Sequence, residues 1–308
     1  MIFSENRFPL FRITRLHQGQ RRDLLLSYII IAEIYSIAAL STNLLVGIIG
    51  IFSVSQAAIM GVGAYTVALL TLGKLASFPI ALLAAIALCA VLNVVLALPS
   101  LRVAGDYFVV TSFGCQLVAT AVFINWSGLT GGASGLFGIP PPEIFGFVID
   151  DSKPFLVLST TALAIACLGF WLLMRSPFGR IVHAIRQDEE AVLAAGQDVL
   201  RAKLSVAAIS GAYAGMAGGL YAAYFSFIDP TSFDINVSIL VLTMLVVGGA
   251  RTLPGSIIGP FLLWALPQLL GQIDIPSTIL GPLRQFIFGA LLVAFMLFRP
   301  QGIAGRRL

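Results

Sequence analysis

The chain has 308 residues, of which 58% are hydrophobic and only 10% charged, 18 basic and 14 acidic. A soluble globule carries about 25% charged residues. With a mean hydropathy of +0.98, the composition excludes a soluble enzyme, a nucleic-acid-binding domain and a disordered chain, and leaves a multi-span helical membrane protein.

Residues 1–23 read as a basic tail carrying Arg7, Arg12, Arg15, Arg21 and Arg22. The apolar run that starts at Leu24 is far longer than a signal-peptide core of about 7–15 residues, and no small-residue cleavage site follows it, so a retained first span is expected. Apolar runs then fall at 24–41, 43–73, 78–98, 107–125, 155–174, 204–228, 236–250, 255–272 and 282–298. Gly47, Gly50, Gly61 and Gly63 interrupt the second run, which predicts a broken helix, a re-entrant element or two short spans. Non-helical backbone at membrane depth must be buried in protein or line a watery path. Close helix packing at small residues is the competing reading of these glycines. Cys89, Cys115 and Cys167 lie in apolar runs at wide spacing and read as small buried hydrophobes rather than a disulfide framework or metal site.

Charge placement orients the chain. Bases gather in the first tail, in 175–203 (Arg175, Arg180, Arg186, Arg201, Lys203) and in a last tail, 299–308, with Arg299, Arg306 and Arg307. The Lys/Arg excess marks cytoplasmic segments, so all three are expected inside and both termini cytoplasmic. The 126–154 segment has Glu143, Asp150 and Asp151 against Lys153 and is expected outside. Two internal termini require an even number of spans. Splitting the 43–73 run gives five crossings before the outer loop and five after it. The expectation is an all-α, polytopic helical membrane protein with about ten transmembrane helices, or eight plus a re-entrant element, as a single domain over 24–298.

Catalytic motifs are missing. His17 and His183 lie in basic segments, and the sequence holds no HExxH, CxxC, GxSxG or GxxxxGK[ST]. No catalytic residue, metal or cofactor is expected. Glu33 is the one clear intramembrane acid; such a group hints at function, or pairs with a neighbour. Asn43, Ser53, Ser55, Gln56 and Thr66 supply polar groups to the broken run and are candidate path residues, with interhelical hydrogen bonding as the alternative. In 175–203, Pro177 and Gly179 end the preceding helix. Ile181, Ile185, Val192, Leu193 and Leu200 then mark one or two short amphipathic helices with Arg186, Asp188, Glu189 and Glu190 on the polar side, and Gly196 as a stop. A solvated surface helix or a docking element for a cytoplasmic partner both fit.

Here the sequence resembles the second permease type of the branched-chain amino acid ABC importers. Glu190-Ala191-Val192, three residues and then Gly196 resemble that family's Glu-Ala-Ala coupling motif, with Val192 in place of the second Ala and no later Pro at the expected spacing. Asn43 to Gly47 followed by Gly61 to Tyr65, Leu101 to Tyr107, Leu129 to Pro140, Ser176 to Glu189, and Gly248-Gly249 through Pro260 resemble its other blocks in order. Ile51, Gln56 and Leu240 depart from positions where members often carry Gln, His and Glu. The resemblance implies a type II importer fold in the bacterial inner membrane, with no catalysis of its own. Arg186, Asp188, Glu189, Glu190, Ala191 and Gly196 would couple it to two cytoplasmic ATP-hydrolysing subunits. It further implies a second permease subunit and an external solute-binding protein. The implied solute is a branched-chain amino acid, with urea, amides or aromatic amino acids as alternatives; an ATP-independent carrier or channel is the rival class.

Overall fold

The computed structural model describes residues 9–101, 107–144, 146–270, 277–299 and 301–305. Arg7, Arg102, Arg306, Arg307 and most of the 101–107 block lie outside the described residues. Helix α1 (Pro9–Thr42) continues without a break into a π-helical segment, Asn43–Ile49. It ends at Gly50, whose φ of +84° is a conformation that glycine adopts without strain. Residues 51–55 are not helical, and α2 (Gln56–Leu72) and α3 (Phe78–Leu101) follow. Next come α4 (Tyr107–Asn125) and a loop segment holding α5 (Ser127–Thr130), β1 (Leu136–Phe137), β2 (Glu143–Ile144) and β3 (Phe147–Val148). Helix α6 (Ser152–Arg175) leads to two short helices, α7 (Pro177–Gln187) and α8 (Glu189–Ala194). The rest comprises α9 (Val199–Phe225), β4 (Phe227–Ile228), α10 (Ile235–Gly248), α11 (Leu253–Leu270) and α12 (Ser277–Phe298).

Five described helical stretches are long and apolar enough to cross a bilayer: Leu24–Ile49, Phe78–Leu98, Phe108–Asn125, Ser152–Arg175 and Val199–Phe225. Helices α10 and α11 form a pair bent by 119° that adds a sixth if it is one span, and Gln56–Leu72 is a shorter apolar helix. The protein is therefore an all-α polytopic bundle. The expected division of the 43–73 run is corrected. It divides at residues 50–55, but Asn43–Ile49 completes the first helix instead of forming a span of its own. The physical reason is the π register, which absorbs an extra residue while keeping the backbone ladder closed past Gly47. Four apolar helices, not five, precede the 126–154 segment among the described residues.

The core is α9 with α2 and α3 packed against it, and small residues set its spacing. A Cβ on Gly218 would stand 1.9 Å from the Met60 carbonyl oxygen, and one on Gly63 would stand 2.6 Å from that of Gly215. Gly63 of the second run thus serves close packing, whereas Gly50 ends the helix.

The helix ends sort into two faces. At one, Ser27 of α1, Asp151, Ser152 and Pro141 line a common cavity, and Leu72 and Lys74 share another with Pro140 and Glu143. Strand β1 pairs with β4 here, Leu136 opposite Ile228, so α9 also ends on this loop face. At the opposite face the end of α1 meets α7, and the segment after α12 meets the end of α10, where the amides of Ile303 and Ala304 donate to Val247 O and Gly248 O, each at 2.9 Å.

Gly218→Val forces side-chain atoms into a backbone carbonyl that cannot rotate away. We expect a loss of about 1–3 kcal/mol or more, read as a lower unfolding midpoint of the purified protein in detergent. Gly114→Ala, with nothing within 4 Å of the added Cβ, does not lower the midpoint.

Candidate functional site

The break runs from the exposed Gly50 into the bundle, where Ser53, Ser55 and Gln56 are buried and the backbone groups must find partners. Neighbouring helices provide them. Val54 N donates to Ser112 Oγ at 3.1 Å, Ala57 N to Ser238 Oγ at 3.0 Å, and Ala58 N to Gln116 Oε1 at 2.9 Å. The Gln116 amide also accepts from Ser238 Oγ at 3.2 Å and donates to Phe233 O at 2.8 Å. Helix α2 therefore begins inside the protein with its first amides held by side chains of α4 and α10.

The five predicted path residues separate. Asn43 is fully buried and fully used: its Nδ2 donates to Thr252 O at 3.1 Å and Ser256 Oγ at 2.8 Å, and its Oδ1 accepts from Arg251 N at 2.8 Å. It ties the π segment to the break between α10 and α11. Thr66 only returns its hydroxyl to Val62 O within its own helix, at 2.7 Å, and does not join the others. Ser53 and Ser55 pair with each other at 3.1 Å and line a small cavity with Asn93, Ser112, Cys115 and Lys203. Gln56 sits at the junction of three helices. Its Nε2 donates to Ser41 Oγ of α1 and, at 2.8 Å, to Ser210 Oγ of α9. Its Oε1 is buried without a partner.

Sequence reasoning missed Ser112, Gln116, Ser210 and Ser238. The signal available was an isolated polar side chain within an apolar run. Glu33 takes the plain reading, its carboxylate accepting from Ser159 Oγ at 2.5 Å and Thr160 Oγ1 at 2.8 Å across the α1–α6 contact.

The hairpin of α7 and α8 is built by its caps. Ser176 accepts from Gly179 N at 3.2 Å with Pro177 at the first helical position, so Pro177 starts α7 where its missing amide costs nothing. Asp188 ends α7 in an extended conformation and caps α8 through Ala191 N at 2.9 Å. Gly196, at φ +77°, donates to Leu193 O at 2.9 Å and stops α8. Val182, Ile185 and Val192 face inward, but Leu193 and Leu200 are half exposed, so the predicted apolar side is not all turned to the core. Those inward positions and the partly buried Ile181 pack on the bundle, where the hairpin contacts α6, α9 and the π segment.

The predicted coupling residues likewise part company. Glu189 binds Lys203 of α9 at 2.7 Å. Glu190, Ala191 and Gly196 are exposed. Arg186 points into the bundle: its Nη1 donates to Val46 O at 2.9 Å and also to Gly47 O. Partial burial, and then the charges of Arg251 and Arg186, hold the His183 imidazole below its usual range. No group of three or more His, Cys, Asp or Glu converges among the described residues, and Cys89, Cys115 and Cys167 are free.

Apolar helices of membrane-crossing length, interrupted at residues 50–55 and between α10 and α11, with an exposed helical hairpin on one face, define a polytopic membrane protein. Residues 24–296 match the family described as branched-chain amino acid transport system / permease component, and the chain belongs to that family. It is similar to the high-affinity branched-chain amino acid transport system permease protein LivM of Escherichia coli (strain K12), at 32% identity over 297 residues covering 88% of this chain and 67% of that protein. A probable branched-chain amino acid transport permease protein LivM of Methanocaldococcus jannaschii is 26% identical over 225 residues, covering 69% of this chain and 64% of that protein. The ribose import permease protein RbsC of Haemophilus influenzae is 26% identical over 137 residues, covering 43% of this chain and 41% of that protein. No solved structure matches the chain significantly.

Gln116→Leu strands the Ala58 amide and the Phe233 carbonyl inside the bundle. We expect a loss of about 1–3 kcal/mol, measured by denaturant or thermal unfolding in detergent. Thr66→Val changes the same midpoint by less than about 0.5 kcal/mol.

Proposed function

We propose that the chain is the membrane-spanning permease subunit of an ABC importer for branched-chain amino acids, powered by ATP hydrolysis in partner subunits. The observation that carries this reading is the exposed, Asp188-capped α8 at the position of the coupling motif, in a chain whose residues 24–296 match the permease family. The working assembly has a second permease subunit, two ATP-binding subunits on the hairpin face and an external solute-binding protein on the loop face, in a bacterial inner membrane. Helix α8 offers Glu190, Ala191 and the half-exposed Leu193 to an ATPase groove.

The charges support this orientation. The hairpin face holds Arg175, Arg180, Arg186, Arg201 and Lys203, and the loop face holds Lys74 and Lys153 against Glu143, Asp150 and Asp151. With the hairpin cytoplasmic, residues 301–305 are cytoplasmic as well. Leu24 then enters α1 from the outer side, so this reading sets aside the cytoplasmic first tail expected from its arginines, and with it the even number of crossings. In this reading a solute passes beside the broken helix, where Gln56 Oε1 is the acceptor left for an ammonium or a water.

Glu190→Lys and Gly196→Pro are expected to abolish co-purification of the ATPase subunit and uptake of leucine by the reconstituted importer. Normal recovery of the ATPase with both variants would sink the docking assignment. Gln56→Leu is expected to cut leucine uptake several-fold while the amount of folded protein in the membrane is unchanged. Wild-type uptake would remove Gln56 from the path. Leucine flux in vesicles holding this chain alone, without ATP, would place it instead among carriers or channels.

A further inference from the structure

The hairpin and the broken helix are in direct contact, through one side chain. Helix α7 packs on the π segment. Arg186 reaches from α7 to the carbonyls of Val46 and Gly47 in that segment. Carbonyls in the last turn of a helix lack intrahelical partners and carry the negative end of the helix dipole, so they suit a guanidinium. A Cβ on Gly50 would lie 3.3 Å from Arg186 Cγ, so the glycine that closes the helix also admits the arginine stem.

The same seven-residue segment is gripped at its other end. Asn43 joins it to Arg251, Thr252 and Ser256 at the α10–α11 break. A Cβ on Gly47 would stand 1.8 Å from Asn43 Oδ1 and 2.9 Å from Arg251 N, so the two grips are packed against each other. Beyond Gly50 the chain runs directly into Ser53, Ser55 and Gln56. A π segment bonds i to i+5, accommodating an extra residue relative to the α-helix before it, and is rare and frequently found at functional sites. Any displacement of α7 therefore pulls on a helical turn that has a second register available, immediately before the break.

Other contacts between the hairpin and the bundle fit this role less well. The Glu189–Lys203 pair is solvent-facing on the glutamate side, and exposed ion pairs contribute little.

We propose that Arg186 is a positioning residue that transmits movement of the α7–α8 hairpin into the π segment and the broken helix, rather than a contact to the ATPase. This rests on the hairpin being the element the ATPase moves. The role predicts a separation of functions that a docking residue would not show.

The test uses the complete importer, with both permeases, the ATPase subunits and the binding protein, in proteoliposomes. Arg186→Gln is expected to retain the ATPase on purification and to keep basal ATP hydrolysis. Stimulation of hydrolysis by the solute-loaded binding protein, and uptake with it, should fall about tenfold, within the range of coupling between linked sites. Arg186→Lys, with the charge kept but the fork lost, should fall by less. Wild-type stimulation and uptake by an assembled Arg186→Gln complex overturns the proposal, and so does loss of the ATPase from that complex, which would make Arg186 a docking residue. If the Arg186→Gln permease itself does not fold into the membrane, Arg186→Lys decides, and unchanged stimulation overturns the proposal. Failure of Glu190→Lys to disturb ATPase recovery would strike the docking assignment instead, so the two ideas fail separately.

Discussion

A backbone amide shut away from water must find a partner inside the protein, and the organisation of this bundle follows from that requirement at residues 50–58. Once the chain leaves the helix after Ile49, the amides of Val54, Ala57 and Ala58 need acceptors. Ser112 and Gln116 on α4 and Ser238 on α10 supply them. These bonds fix α4 and α10 against the start of α2. They also explain why a polar amide and a serine sit in helices that are otherwise apolar. In lipid such side chains would be costly; here they replace the hydrogen bonds that the missing helical turn would have made.

Glycine sets the complementary constraint. Gly63, Gly215 and Gly218 let α2 and α9 approach until backbone touches backbone. The start of α2 can therefore be held rigidly on one side by van der Waals contact and on the other by side-chain hydrogen bonds. A helix that begins in the protein interior needs both, because it has neither water nor its own preceding turn to support it. Gln56, at the first position of α2, links the two by reaching Ser41 and Ser210.

Much of this was legible in the sequence, but unevenly. The apolar runs located nearly every long helix, because composition alone dictates burial of the backbone in lipid. The stop at Gly196 was readable because capping is local chemistry, whereas Ser176 and Asp188, caps of the same kind, went unread. The glycines pointed to the right region without fixing the place where the helix ends: Gly47 stays within the ladder and Gly50 closes it. A π register leaves no compositional trace, so Asn43–Ile49 looked like the start of a new span. The count of five crossings before the outer loop rested on that division. Gln116 and Ser238 were invisible for another reason, since their importance lies in what another part of the chain lacks. Arg186 appeared on the polar side of an amphipathic helix, where solvent is the default. Its inward turn depends on carbonyls 140 residues earlier in the chain.

The hairpin face shows how the remaining open ends are closed. Helix α1 ends in carbonyls that Arg186 covers. Helix α10 ends in carbonyls that Ile303 and Ala304 cover by backbone bonds. Between them, Asn43 takes the amide of Arg251 and the carbonyl of Thr252 at the bend. Each closure comes from a different stretch of sequence: the hairpin, the segment after α12 and the π segment. The two helix ends are thus not capped independently, and the α10–α11 bend cannot shift without Asn43, nor the π segment without Arg186. The backbone cap at α10 has no charge or side-chain freedom to exchange, whereas the cap at α1 is a single flexible cation. If one of these ends yields while the other stays fixed, the physical difference between the caps assigns movement to α1.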